Sequence, residues 1–133
     1  MHLAQIRKSI NVAKRTVKAV AQKAKRQLFY LVRLLDENDN LVWSKIGTTT
    51  RSVEQRMKEH LRDYKKRGYN VARCDVQRVY DCGNLSAEGL ESEFRAKYIK
   101  KYPELYVKTD RFKTEFDYEE AEKIVLNYLA ANT

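Results

Sequence analysis

Residues 41–60 change their hydrophobic period part-way and so predict two kinds of element in succession. The first six residues, LVWSKI, are mostly apolar and β-branched, which is typical of a strand that Gly47 then ends. Ser52 and Gln55 have the spacing of a capping box, which predicts a helix that begins at Ser52. Upstream, LFYLVRLL (28–35) predicts a second strand. The polar cluster DENDN (36–40) predicts the turn that joins the two strands as a hairpin.

The rest of the chain predicts a third strand and two further helices. The helix from Ser52 should end near Gly68, as helices commonly do at glycine. After it we predict a strand over 74–83, a helix over 86–102, an extended or irregular segment over 105–117, and a final helix that begins at Asp117 and ends near Ala130. This order predicts an α+β fold, with a small three-stranded antiparallel sheet flanked by helices.

Length and composition limit the class of protein. With 133 residues, 43% of them hydrophobic, the chain should form one compact domain, over 28–133, with a short appendage over 1–27. Apolar runs are too short for a membrane span, and the N-terminus lacks the apolar core of a signal peptide, so we expect an intracellular protein. Cys74 and Cys82 would lie about 26 Å apart on one extended strand, too far for a disulfide.

Positive charge is concentrated in residues 1–27. This arm carries eight of the 27 basic residues and no acid, whereas 28–133 holds 19 basic and 18 acidic residues. Its apolar residues recur at intervals of three and four, which predicts an amphipathic helix. The eight basic residues are Arg7, Lys8, Lys14, Arg15, Lys18, Lys23, Lys25 and Arg26.

Two interpretations of this arm stay open. The helix can dock through its apolar seam on its own domain or on a second copy of the chain, forming a homodimer. Alternatively, its cationic face contacts nucleic-acid phosphates, since a basic surface without acids is the electrostatic footprint of such binding. A membrane surface ranks lower, because the apolar face is poor in Trp, Phe and Leu.

The hairpin and the helix after it resemble the GIY-YIG nuclease superfamily. Leu28-Phe29-Tyr30 stands at the first motif, Lys45-Ile46-Gly47 at the second, and Arg56 at the family's spacing after it. The segment KTEFD (113–117) resembles the ending of a phage-associated subgroup. The chain departs from the family at two places: Lys45 replaces the second-motif Tyr, and Leu28 replaces the first-motif Gly.

The helical periodicity of residues 86–102 predicts which way the carboxylate of Glu91 points. At 100° per residue, Leu90, Phe94 and Tyr98 share one face, and Glu91 lies within that stripe. Glu91 is therefore predicted to point into the protein, where a carboxylate is costly unless it meets a cation or a metal. A structural ion pair with Arg56 is the alternative to a site role.

The resemblance implies a metal-dependent phosphodiesterase site. Arg56 would donate to the phosphate, Glu91 would bind one Mg²⁺ or Mn²⁺, and Tyr30 would orient or deprotonate the attacking water. Lys45 would lower the pKa of Tyr30 or contact the phosphate. His60 lies one turn from Arg56 and would donate to phosphate or relay a proton.

Two functions from different classes remain. The first is an endonuclease that acts on DNA, with RNA not excluded. The second is a catalytically inactive module that binds nucleic acid or a protein partner through the same cationic surface. Arg51, in the loop before the helix, is a further candidate for contact with nucleic acid.

Overall fold

The computed structural model describes residues 26–133. The predicted helix of the basic arm, with all of its basic residues except Arg26, lies outside the described residues. Five strands and three α-helices follow in the order β1 (Leu28–Leu35), β2 (Leu41–Thr49), α1 (Val53–Lys66), β3 (Arg73–Asp81), α2 (Ala87–Lys101), β4 (Tyr106–Lys108), β5 (Arg111–Phe112) and α3 (Tyr118–Ala131), with a short 3₁₀ helix at Pro103–Leu105.

The hairpin of β1 and β2 is the centre of the sheet. Asp36 forms the predicted turn, because its carboxylate accepts hydrogen bonds from the backbone N–H groups of Asn38 and Asn40 at 2.9 and 3.0 Å. Both strands are antiparallel, and Tyr30 lies directly opposite Gly47. The prediction that Gly47 ends the strand is wrong, since β2 continues through Gly47 to Thr49.

The sheet has five strands in the order β3-β1-β2-β5-β4, all antiparallel. The predicted three-stranded sheet is therefore wrong in extent, although its three strands form the larger part. The segment predicted to be extended or irregular supplies β4 and β5. Strand β5 pairs with the edge of β2 that β1 does not occupy. There Phe112 lies opposite Ser44 and is completely buried.

All three helices begin with a side-chain cap, which explains why the sequence predicted their starts well. Ser52, Ser86 and Asp117 each accept a hydrogen bond from the backbone N–H three residues later, at 3.1, 3.0 and 3.2 Å. Gly68, just beyond α1, has a φ of +76°, a conformation that glycine adopts without strain. None of the helices within residues 26–133 is both long and apolar enough to cross a membrane.

The sheet separates two apolar clusters. Helices α2 and α3 cover one face, where Phe29 and Leu31 of β1 pack against Phe94 and Tyr98. Helix α1 covers the other face, where Tyr30 of β1 packs with a smaller group that includes Met57 and Tyr64. Because side chains alternate along a strand, β1 is buried on both faces and Tyr30 points toward α1.

Candidate active site

Tyr30 and His60 form a buried hydrogen-bonded pair between β1 and α1. The phenol oxygen of Tyr30 lies 2.7 Å from Nε2 of His60. Tyr30 reaches its partner by crossing Gly47 on the neighbouring strand, and a Cβ at position 47 would overlap with the phenol oxygen. The first-motif tyrosine and the second-motif glycine are thus linked by packing, because the absence of a side chain at Gly47 makes room for the ring.

Burial sets the protonation of this pair. Burial raises the pKa of Tyr30, and the charge of Glu91 adds to the rise, while Arg56 acts in the opposite sense. Burial also lowers the pKa of His60 to about 4, helped by the positive charges of Lys45 and Arg56. Near neutral pH the pair is therefore a phenol and a neutral imidazole. In this state the phenol O–H can donate its hydrogen bond to Nε2.

Arg56 lies beside the pair on α1, one turn before His60. Its Nη1 is 3.0 Å from Oε1 of Glu59, and 38% of its side chain is exposed. Glu59 also accepts from Arg51, whose Nη2 lies 2.8 Å from Oε2. The guanidinium of Arg56 is therefore oriented by a carboxylate while part of it faces solvent, where a phosphate can reach it.

Lys45 is buried next to the site and paired with an acid. Only 3% of the residue is exposed, and its ammonium group forms an ion pair with Asp110 in the turn between β4 and β5. It also lies 3.3 Å from the carbonyl oxygen of Ile46. The Ile46 N–H donates in turn to the carbonyl of Asp110 at 3.0 Å, which holds the turn against β2.

Glu91 lies at the flank of the buried face of α2. Its side chain is 20% exposed, and Oε1 lies 3.5 Å from Nη2 of Arg95 on the same helix. Burial raises the pKa of Glu91, against the opposing charges of Arg95 and Lys45. Within the described residues, Arg56 and Glu91 do not form the ion pair considered above, because each pairs with a neighbour on its own helix.

Two open cavities meet at Arg56. The larger has a volume of about 620 Å³ and lies between α1 and the turn that joins β4 to β5. The smaller, of about 310 Å³, lies beside the loop that precedes α1. Arg56 lines both. An extended chain bound across the two cavities would therefore pass over its guanidinium.

Residues 27–129 match the T5orf172 domain family. The chain belongs to that family. The family is associated with nuclease-like domains of phages and mobile elements, related to the GIY-YIG nucleases. No curated protein and no solved structure matched the chain. The match supports the resemblance at the level of the T5orf172 family, without a match to a GIY-YIG nuclease itself, and it is consistent with a nuclease-like or DNA-binding role.

The T5orf172 domain brings most of the predicted site residues to one region. Tyr30 contacts His60 directly, Arg56 and Glu91 both act on the pKa of Tyr30, and Lys45 acts on that of His60. Arg51 lines the smaller cavity, on the far side of Arg56. Arg26 lies apart from this group and pairs with Asp81 at 3.1 Å.

Sequence reasoning missed two acids of this T5orf172 domain. Glu59 forms ion pairs with Arg51 and Arg56. Its pair with Arg56 could have been predicted, because residues three apart on a helix are neighbours. Asp110 neutralises Lys45 from a segment predicted to be extended or irregular, and no spacing pattern in the sequence connects the two. Both acids orient cations of the site.

The divalent metal predicted for this site requires oxygen ligands. Residues 26–133 hold no group of three or more His, Cys, Asp and Glu side chains that could bind a metal. Glu91 is a single half-buried carboxylate with one long ion pair, so its oxygens retain capacity for a ligand. Mg²⁺ is commonly held by one or two carboxylates together with waters and substrate phosphates, and for that mode Glu91 supplies a single carboxylate.

Proposed function

We propose that this T5orf172 domain is a metal-dependent endonuclease that hydrolyses phosphodiester bonds of DNA, with RNA as a second possible substrate. The observation that carries the proposal is the 2.7 Å hydrogen bond between Tyr30 and His60, with Arg56 beside it. A proton acceptor and a phosphate donor next to each other are what attack on a phosphate requires. Membership of a nuclease-associated family supports the same function.

The protonation states favour a relay over a phenolate base. As a water attacks phosphorus, it transfers a proton to the phenol oxygen of Tyr30, and the phenol transfers its own proton to Nε2 of His60. His60 becomes an imidazolium, and the bond from phosphorus to the leaving oxygen breaks. Because His60 is neutral, Nε2 has a lone pair that can accept this proton, whereas a cationic phosphate donor would require the protonated ring.

Arg56 and Glu91 would stabilise the negative charge that develops on the phosphate during hydrolysis. Arg56 donates its planar fork of N–H groups to the non-bridging phosphate oxygens, where negative charge accumulates in the transition state. Glu91 would hold the metal, and when bound a divalent ion stabilises the charge that develops on the leaving oxygen. Lys45 is tied to Asp110. Its contribution is therefore a positive charge that adds to burial, the larger cause, in keeping His60 neutral.

A binding module without catalysis is the second candidate function, and two ion pairs favour it. Lys45, which replaces the motif tyrosine, is engaged by Asp110, and Arg56 is engaged by Glu59. If these pairs persist in the presence of substrate, the cationic surface would bind phosphate without cleaving it.

Incubation of supercoiled plasmid with the full chain and Mg²⁺ or Mn²⁺ tests the proposal. We expect nicking or linearisation that EDTA abolishes. Arg56→Ala and Glu91→Gln should each reduce the rate at least about 100-fold, as loss of one charge-stabilising group does. Arg62→Ala is the matched control, because Arg62 is an exposed arginine on the same helix and does not line the cavities that meet at Arg56.

The outcomes separate the two candidates. Cleavage that survives Arg56→Ala would contradict the assigned site. Plasmid that is retarded on a gel but not cut, with either metal, would favour the binding module instead. Retained binding with loss of cleavage in Glu91→Gln would support the role of Glu91 in holding the metal.

A further inference from the structure

The larger cavity has cations on both sides, and they differ in their partners. On the α1 side, Arg56 pairs with Glu59 and Arg67 with Asp63 at 3.1 Å. On the opposite side lie Lys108, at the end of β4, and Arg111, at the start of β5. Within residues 26–133, neither of these two cations has a carboxylate at ion-pair distance. The cavity therefore has unneutralised positive charge on one side.

Arg111 is held in a fixed position despite having no acid partner. It is only 9% exposed, and its guanidinium carbon lies 4.5 Å from the ring centre of Trp43 and 5.4 Å from that of Tyr69. Stacking on aromatic faces offsets part of the cost of removing the charge from water. Part of the guanidinium edge also interacts with the phenol oxygen of Tyr69, and the remaining N–H groups can donate to an anion.

The pairing of the strands places a second cation beside Arg111. Lys45 on β2 lies directly opposite Arg111 on β5, and like charges at such cross-strand positions are destabilising. Asp110 neutralises Lys45. One positive charge remains next to a half-enclosed cavity of about 620 Å³, a volume typical of ligand sites. An anion bound there would neutralise that remaining charge.

We propose that Arg111 and Lys108 form a second phosphate subsite, which binds a backbone phosphate of the nucleic-acid strand next to the one at Arg56. This inference rests on the proposed function and extends it. It assigns to the turn between β4 and β5 the task of holding the strand while Arg56 holds the phosphate that is cut. Nucleic acid fits this subsite better than an isolated anion, since Arg56 lines the same cavity.

Binding measured without divalent metal tests the subsite apart from cleavage. A short fluorescent DNA duplex and its single strand would be titrated with the full chain in increasing salt. Lys108→Ala should weaken binding several-fold. It should also reduce the slope of the logarithm of the binding constant against the logarithm of the salt concentration by about 1, the change expected for one lost phosphate contact. Lys123→Ala is the control, since Lys123 is an exposed lysine on α3, which covers the opposite face of the sheet.

Arg111 needs a pair of variants because it is buried. Arg111→Gln should weaken binding more than Lys108→Ala, and Arg111→Lys should restore only part of the affinity, because an ammonium group cannot donate as a fork. A thermal melt establishes that each variant is folded. If Arg111→Gln does not fold, Lys108 is exposed and still decides the question.

Wild-type affinity and salt slope in Lys108→Ala would overturn the subsite, and metal-dependent cleavage by the wild type would then leave the proposed function standing. A wild-type chain that binds DNA but does not cut it, with the reduced slope in Lys108→Ala, would keep the subsite and remove the hydrolysis. A wild-type chain that binds no DNA would overturn both.

Discussion

The two faces of the sheet are built in different ways. The face under α2 and α3 buries a large, almost entirely apolar cluster, in which the rings of Phe94 and Tyr98 stack 5.3 Å apart. The face under α1 has a smaller apolar cluster and also buries Lys45, His60 and Arg111. Buried polar and charged groups contribute little or nothing to stability. The face under α2 and α3 therefore stabilises the fold, and this stability allows the face under α1 to bury the polar and charged side chains of the candidate site.

Truncating a large side chain on the apolar face would test this difference between the two faces most directly. Phe94 is completely buried and contacts Phe29, Tyr98 and Phe116. Phe94→Ala should lower the free energy of unfolding by about 3–5 kcal/mol, because it removes apolar contacts and leaves a cavity. Denaturant unfolding measures the change, and Phe94→Leu, which keeps most of the volume, should lose much less.

The first face should stabilise the fold without acting on the chemistry. Wherever Phe94→Ala is still folded, its cleavage rate per folded molecule should stay close to wild type. A small loss of stability together with a large loss of activity would mean that the two faces are not separable.

A pH effect should appear on the α1 face. The folded chain keeps His60 neutral down to a pKa of about 4, whereas an unfolded histidine takes up a proton below about 6.5. The unfolded state therefore binds more protons between these values, and stability falls as the pH falls through this window. The loss should reach about 3 kcal/mol at the lower end.

His60→Gln isolates that effect, because its side-chain oxygen can still accept from Tyr30 but does not titrate. The difference in unfolding free energy between wild type and variant should shrink toward low pH. Glu91, whose raised pKa acts in the opposite direction, is present in both chains and cancels. A difference that does not change between pH 7 and 4 would mean that His60 is not held neutral by its surroundings.

The sequence predicted the elements well where local chemistry decides them. The three caps and the turn at Asp36 depend on side chains within a few residues of the backbone they bind, so the pattern contains the answer. The pairing of β5 with β2 is different. Only two residues pair, and the gain comes from burying Phe112 under distant residues. Tertiary packing of this kind leaves no period in the sequence.

The site divides in the same way. Arg56 and His60 could be placed on one face of α1 from their spacing, and Glu91 could be placed near the buried face of α2. The state of Tyr30 could not be predicted, because a cation was expected to lower its pKa and burial outweighs Arg56. Asp110 and Arg111 were also missed, since both reach the site from the pair of strands β4 and β5, which the sequence did not predict.

Alanine substitution of two glycines, one on each side of the sheet, tests the difference between the two faces at single positions. Gly47 makes room for the ring of the buried Tyr30, and a methyl group there would overlap with the phenol oxygen. Gly47→Ala should lower the free energy of unfolding by about 1–3 kcal/mol, as overpacking does. It should also displace Tyr30 from His60 and so reduce cleavage. Denaturant unfolding and the plasmid assay measure the two effects.

Gly89 on α2 is the matched position. A methyl group there would lie 2.5 Å from the phenol oxygen of Tyr128, but Tyr128 is half-buried and its ring can swing toward solvent. Alanine is also the better helix former, by up to about 1 kcal/mol. Gly89→Ala should therefore leave stability equal or slightly higher, with unchanged cleavage. Equal losses of stability and activity in the two variants would mean that the path of Tyr30 over Gly47 has no special importance for the site.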